Sequence, residues 1–194
     1  MLLIARCFAV GFQYGLNSSS KEYDGINLYL RITDIDEETH NIIYSNITSP
    51  NCELTKEYLL CENDLLFART GASVGKTYLY NLKDKTVYFA GYLIRCKVTG
   101  AHPKYVFYIT LAANYKKWVS NMSQRSGQPG INAEEYQSFL FPLPPLPEQQ
   151  AIAEVLTIAD REIELLTKEL EQQKFVKKYL MQQLLTGKIR VKGT

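Results

Sequence analysis

Between Lys85 and Ala133 the sequence has no acidic residue, although the whole chain is nearly balanced, with 22 Lys and Arg against 20 Asp and Glu. A net charge of +2 is too small to announce a nucleic-acid partner by bulk attraction. The acid-free run is different: it holds Lys85, Arg95, Lys97, Lys104, Lys116, Lys117 and Arg125, the composition of a positive face. Cysteine is sparse and unpatterned. Cys7, Cys52, Cys61 and Cys96 form no CxxC pair and lie far from the two histidines, His40 and His102, which argues against a zinc site and a disulfide framework. No metal and no cofactor is expected. Long apolar runs are missing too: Arg6 interrupts the opening MLLIARCFAVGF, no small-residue cleavage site stands out, and nothing approaches the roughly 18 apolar residues of a membrane span. The expectation is a cytoplasmic protein without a membrane anchor, its thiols reduced.

Catalytic signatures are also absent. Thr70 to Thr77, TGASVGKT, resembles a phosphate-binding loop, but such a loop needs four residues between its first Gly and the Gly-Lys pair, and Gly71 and Gly75 enclose three. There is no HExxH, no GxSxG, and no Asn/Asp-Pro-Pro-aromatic tetrapeptide of an adenine methyltransferase. A reader is expected, not a catalyst; a nucleotide-binding enzyme remains the unfavoured alternative.

Tyrosine is abundant, with 14 copies beside 8 Phe and a single Trp. A tyrosine-rich core is the simpler source of this bias and a base-stacking surface the other. Asn27 to Ile35 alternates apolar and polar residues at period two, Leu65 to Leu82 suggests two strands around a Gly-containing bend, and Thr86 to Val98 is rich in β-branched and aromatic residues. From Val106 to Met122, bulky residues at Phe107, Leu111, Tyr115, Trp118 and Met122 predict a helix of about four turns. Ser123 to Asn132, SQRSGQPGIN, predicts a loop. Pro142, Pro144, Pro145 and Pro147 then stiffen a connector and mark a boundary between a domain of residues 1–145 and a segment of residues 146–194.

That segment has no Gly or Pro from Glu148 to Leu185. Ile152, Leu156, Ala159, Ile163, Leu166, Leu170, Gln173, Lys177, Leu180 and Leu184 alternate spacings of four and three, which is a heptad seam. A helix of roughly 55 Å is too long for a domain of this size to cover, so the seam calls for another helix. Charge supplies an orientation. Seven acids lie between Glu148 and Glu171, against Arg161 and Lys168, whereas Gln172 to Lys192 holds Lys174, Lys177, Lys178, Lys188, Arg190 and Lys192 with no acid. Two copies packed antiparallel set acid against base, although the same gradient also suits the helix dipole. The fold class is α+β: a globular mixed α/β domain followed by a long C-terminal coiled-coil helix.

YLRITDID (Tyr29 to Asp36), NDLLFARTGASVGKTYLY (Asn63 to Tyr80), AGYLIRCKV (Ala90 to Val98), SGQPGIN (Ser126 to Asn132), LPPLPEQQAIAEVL (Leu143 to Leu156) and the ending KKYLMQQLLTGKIRV resemble the specificity subunits of type I restriction-modification systems. The resemblance implies a target-recognition domain and a conserved helix, where the family usually carries two of each, with the helices paired antiparallel as a spacer. With one of each, and without the short segment that often precedes the first strand, this chain looks like a half-length form. It is then expected to be a homodimer that reads a split, symmetric target on double-stranded DNA. The resemblance further implies partners: adenine methyltransferase (M) subunits and, through them, the restriction (R) subunit. A coiled-coil interaction protein without DNA binding is the alternative.

For contacts, the loop residues Ser123, Gln124, Arg125, Ser126 and Gln128 come first, because Arg and Gln pair in bidentate fashion with guanine and adenine. Ser73, Lys76, Lys116 and Lys117 are candidates for phosphates or bases. Arg69 is a weaker candidate, since the bend that holds it has a structural reading.

Overall fold

A computed structural model describes residues 3–5, 10–81, 86–124 and 128–191. The chain forms two compact units, Met1–Ala151 and Ile152–Thr194. In chain order the elements are β1 (Leu3–Ala5), β2 (Val10–Tyr14), β3 (Ser20–Glu22), β4 (Asn27–Leu30), β5 (Thr48–Pro50), β6 (Asp64–Ala68), β7 (Thr77–Leu79), β8 (Thr86–Phe89), β9 (Leu93–Lys97), α1 (Pro103–Leu111), α2 (Ala113–Met122), α3 (Ala133–Gln137), β10 (Phe141–Leu143) and α4 (Leu146–Leu185). This is an α+β architecture ending in a long helix, as the sequence suggested.

Apolar residues at consecutive positions require cover on both faces of a strand. DLLFA of β6 is such a run, and all five residues are buried in the middle of an antiparallel sheet of order β2-β9-β6-β7. Side chains alternate between faces. Leu66 and Ala68, with Tyr78, Tyr80 and Leu93, form one core with the parallel pair β4 and β8, through Leu28, Leu30, Val87 and Phe89. Phe67 joins an aromatic cluster with Phe12, Tyr136, Trp118, Phe139 and Tyr115; its ring centroid lies 4.7 Å from that of Tyr136. β3 pairs with β5, and β1 with β10. Tyr29, Tyr78, Tyr80, Tyr88, Tyr105, Tyr115 and Tyr136 are buried, so half of the 14 tyrosines are core.

Three stretches differ from their sequence expectation. The alternating run from Asn27 stops being a strand at Leu30, because Asp34 accepts from the Arg31 backbone at 2.9 Å and from its guanidinium at 2.9 and 2.7 Å, closing a 3-10 turn. Thr86 to Val98 is two strands, reversed at Gly91 and Tyr92. The helix expected from Val106 to Met122 is α1 and α2, broken at Ala112 in an extended conformation. Ala112 has no side chain that forbids helix; tertiary bonds hold both flanking elements. Thr110 Oγ1 lies 2.8 Å from Thr77 Oγ1 on β7 and fixes the end of α1, while Tyr115 on α2 donates to Gly75.

The segment Ile152–Thr194 is described by itself. It contains most of α4, whose 40 residues extend about 60 Å at 1.5 Å per residue. Ile163, Leu166, Leu170, Leu180 and Leu184 of the seam are exposed, as are Ala159, Gln173 and Lys177; Leu156 is 38% exposed and Ile152 half-buried. Surface pairs Glu164–Lys168 and Glu171–Lys174 at 2.5 and 2.7 Å lie along the helix. Among the described residues no helix is long and apolar enough to cross a membrane.

Candidate nucleic-acid interface

The loop after α2 is anchored at both ends. At its start, Ser123 caps α2 by donating its N–H to Val119 at 2.9 Å. At its end, Asn132 opens α3 in a capping box: its side chain accepts from Glu135 N–H at 2.8 Å, and the Glu135 carboxylate accepts from Asn132 N–H at 2.7 Å. Just before Asn132 the loop is bonded to the Gly-containing bend between β6 and β7. Ile131 N–H donates to Arg69 at 2.9 Å, Gly71 N–H donates to Pro129 at 3.0 Å, and Thr70 bridges Gly130. The described ends of the loop, Ser123 and Pro129 to Asn132, are therefore held by the domain.

The bend is itself clamped. Tyr136 Oη accepts from Gly75 N–H at 3.1 Å and donates to Ala68 at 2.7 Å; Tyr115 Oη donates to Gly75 at 3.0 Å. Burial raises both phenols above their ordinary range, so both remain hydroxyl donors. Three further amides of the bend are spent internally: Val74 N–H on Gly71, Gly75 N–H also on Ala68, and Lys76 N–H on Ser73. A phosphate cradle needs successive free N–H groups. With Gly71 N–H on Pro129, four amides of the bend are already committed, which leaves few for a phosphate. Gly75 has φ +85°, and a Cβ there meets Val119 Cγ1 at 2.5 Å. Gly75→Ala is expected to destabilise the domain by about 2–4 kcal/mol, from left-handed strain and overpacking together. Gly71→Ala, where only Gln128 Nε2 stands at 3.5 Å, is expected to cost about 1–2 kcal/mol. Urea denaturation of the two variants checks the difference.

The structure removes two of the expected contact residues from the surface. Lys76 is buried, its ammonium 2.6 Å from the Glu37 carboxylate and donating to Ile35 at 2.9 Å, so it is occupied in holding the bend and not free for a phosphate. Ser73 donates to the same carboxylate at 3.1 Å. Burial acts to raise Glu37, yet the Lys76 charge and these bonds hold it below the usual carboxylate range. Ser123 is buried at the end of α2. Gln124 and Gln128 are exposed in the loop, Lys116 and Lys117 are exposed on α2, and Arg125 and Ser126 lie outside the described residues. The expected positive face also loses Arg95. Its guanidinium is buried, paired with Asp64 at 3.4 Å, bonded to the Leu59 and Glu57 carbonyls at 2.9 and 3.0 Å, and in contact with Gln13. Lys85 lies outside the described residues; Lys97, Lys116 and Lys117 remain exposed and Lys104 is half-buried.

One surface feature had no distinguishing signal in the sequence. Tyr14 and Tyr92 are exposed tyrosines, 42% and 66%, and Arg69 lies over the Tyr14 ring with its guanidinium carbon 4.7 Å from the centroid. Only the folded positions separate these two rings from the tyrosines of the core.

Comparison with known proteins bears on this surface. Residues 16–173 match the family model of the type I restriction modification DNA specificity domain. A type I restriction enzyme MjaVIII specificity subunit from Methanocaldococcus jannaschii is 42% identical over 90 residues, which cover 46% of this chain and 21% of that protein. In fold, the chain is similar to the HsdS subunit from Thermoanaerobacter tengcongensis, with a TM-score of 0.57 and 19% identity over 99% of this chain and 50% of that one. It is likewise similar to a type I restriction-modification system S subunit from M. genitalium, with a TM-score of 0.59 and 15% identity over 89% and 42%. The matched part is thus about a fifth of the curated relative's length and half or less of the solved chains.

Proposed function

Because the chain belongs to the type I restriction-modification DNA specificity domain family, we propose that it is a non-catalytic, sequence-specific reader of double-stranded DNA. In this reading residues 1–145 are one target-recognition domain and residues 146–194 one conserved pairing helix. Two chains pair antiparallel through Ile152, Leu156, Ala159, Ile163, Leu166, Leu170, Gln173, Lys177, Leu180 and Leu184, and the dimer directs adenine methyltransferase subunits, and through them a restriction subunit, to a bipartite target.

The observation that carries the reading is the family match over residues 16–173, which runs through both the loop-bearing domain and the seam as far as Gln173. An exposed apolar seam on a helix of 40 residues is the second support, since leucines every three and four residues are costly to leave in water. A two-fold axis between two readers requires inverted half-sites. Mapping of methylated adenines in DNA from cells that hold the chain and a cognate methyltransferase tests this: one short half-site repeated in inverted order across a fixed gap is expected, and an undivided or directly repeated site contradicts it.

In this reading Gln124, Arg125, Ser126 and Gln128 face base edges, and Lys116 and Lys117 face phosphates. Gln128→Ala is expected to lower affinity for the target by about 1–3 kcal/mol with little change on unrelated DNA. The double variant Lys116→Ala, Lys117→Ala is expected to weaken both alike and to flatten the dependence of log affinity on log salt by about two units. Titration of labelled duplexes over a salt series separates the two behaviours.

A further inference from the structure

A cleft of about 660 Å³ opens beside the Gly-containing bend, between Tyr14 at the end of β2, Arg69 after β6, Tyr92 in the turn between β8 and β9, and the segment from Asn17 to Ser20. Its floor is rigid. The backbones of Gly15 and Ala90 cross so closely that a Cβ on Gly15 meets Ala90 O at 2.1 Å, and the crossing is laced by Gly15 N–H to Leu93, Leu16 N–H to Phe89 and Gly91 N–H to Leu16 at 2.8 to 3.0 Å. Tyr29 Oη donates to Leu16 at 2.6 Å, so the floor's polar atoms are already matched.

The walls are not matched in the same way. Among the described residues, no acidic residue lines the cleft. Arg31 lines it, but its guanidinium is committed to Asp34 and to the Asn46 carbonyl. The Arg69 guanidinium has no acidic or carbonyl partner among the described residues, while its backbone is bonded on one side to Tyr92, by its N–H at 3.0 Å, and on the other to Ile131 of the anchored loop. Contact with the Tyr14 ring at 4.7 Å restrains a fork of N–H donors, which lowers the entropy lost when the fork engages a pair of acceptors. A phosphate also accepts such a fork in bidentate fashion, but its tetrahedral oxygens offer acceptor pairs on several sides and need no fixed plane. A fork restrained on one exposed aromatic ring, in a cleft that Tyr92 also lines, suits an acceptor pair of fixed spacing on a flat edge, and in DNA that pair is O6 and N7 of guanine.

We propose that Arg69, oriented by Tyr14, reads one guanine in each half-site, on the same surface as the loop after α2. This deepens the DNA-reading function proposed above and rests on it.

The test is selection of bound duplexes from a randomised pool by the full chain assembled with an adenine methyltransferase, using the unaltered chain, Arg69→Lys, Arg69→Ala and Tyr14→Phe, with melting temperatures to show that all are folded. The unaltered chain is expected to enrich guanine at one position per half-site. Arg69→Lys, which keeps the charge but not the fork, and Arg69→Ala are both expected to lose that preference by about 5- to 150-fold at that position alone. Tyr14→Phe, which keeps the ring, is expected to retain it. Unchanged enrichment in both Arg69 variants overturns the proposal, whether overall affinity is kept or falls equally on all sequences, the latter marking a phosphate contact. If the unaltered chain enriches nothing, the DNA-reading function itself fails, an outcome read without the variants.

Discussion

Leu166→Glu and Leu170→Glu are each expected to leave a folded chain that no longer self-associates. The two leucines flank the middle of a seam that runs from Ile152 to Leu184, and both are more than half exposed in the single chain. Antiparallel pairing about a two-fold axis brings this stretch of one helix against the same stretch of its partner, so each substitution counts twice. Covering one leucine stabilises by about 1.5–3 kcal/mol, and losing two copies removes about 3–6 kcal/mol, before the repulsion between the two new carboxylates is added. That corresponds to a rise in dimer Kd of about 10² to 10⁴. Gln182→Glu, on the opposite side of the helix, is the control and is expected to leave the association intact. Circular dichroism establishes that the domain is folded in each variant, and sedimentation gives the mass. If Leu166→Glu and Leu170→Glu associate as the parent does, the seam is not the contact.

Arg95→Met is expected to destabilise the unit Met1–Ala151 by about 3–5 kcal/mol, the usual result of leaving one member of a buried ion pair without the other. Arg95 sits in β9 opposite Leu66 of β6, and its guanidinium meets Asp64 as well as carbonyls of the 3-10 turn near Tyr58. Burial already pushes the Asp64 carboxyl up, against the Cys61 N–H and the Arg95 charge that pull it down. Removing Arg95 raises it further. A carboxyl with a raised folded-state pKa binds its proton at higher pH in the folded chain than in the unfolded one, so the folded state gains stability as pH falls through that window. Arg95→Met is therefore expected to recover part of its loss between pH 7 and pH 5, in the opposite sense to ordinary ion-paired carboxylates. Chemical denaturation at the two pH values checks both size and sign.

Arg95 also shows where sequence reading reached and where it stopped. The acid-free run from Lys85 to Ala133 was a sound reason to expect a positive face, but linear spacing carries no information about which partner lies across a sheet. Asp64, 31 residues away, claims the charge. Lys76 failed as a surface contact for the same reason, since Glu37 is 39 residues distant in sequence and 2.6 Å distant in the fold. Local signals did better. The heptads from Ile152 made the long helix legible, because helical spacing without Gly or Pro to Leu185 is a local signal. The apolar run of β6 gave a central strand. The break at Ala112 was illegible, since no Gly or Pro marks it and the bonds that hold both sides come from β7 and the Gly75 bend. Within the site, the loop was legible from its Gly, Ser and Pro content, whereas the pairing of Arg69 with Tyr14 joins residues 55 positions apart and follows only from the register of the sheet.

The decisive measurement is the mass of the purified chain in solution, by light scattering over a series of salt concentrations. A species of about 44 kDa, twice the 22.2 kDa of one chain, is expected, because in the proposed reading one chain supplies half of a two-site reader and two helices must pair to complete it. A mass of 22.2 kDa at every salt concentration contradicts self-pairing and assigns the exposed seam to a different chain.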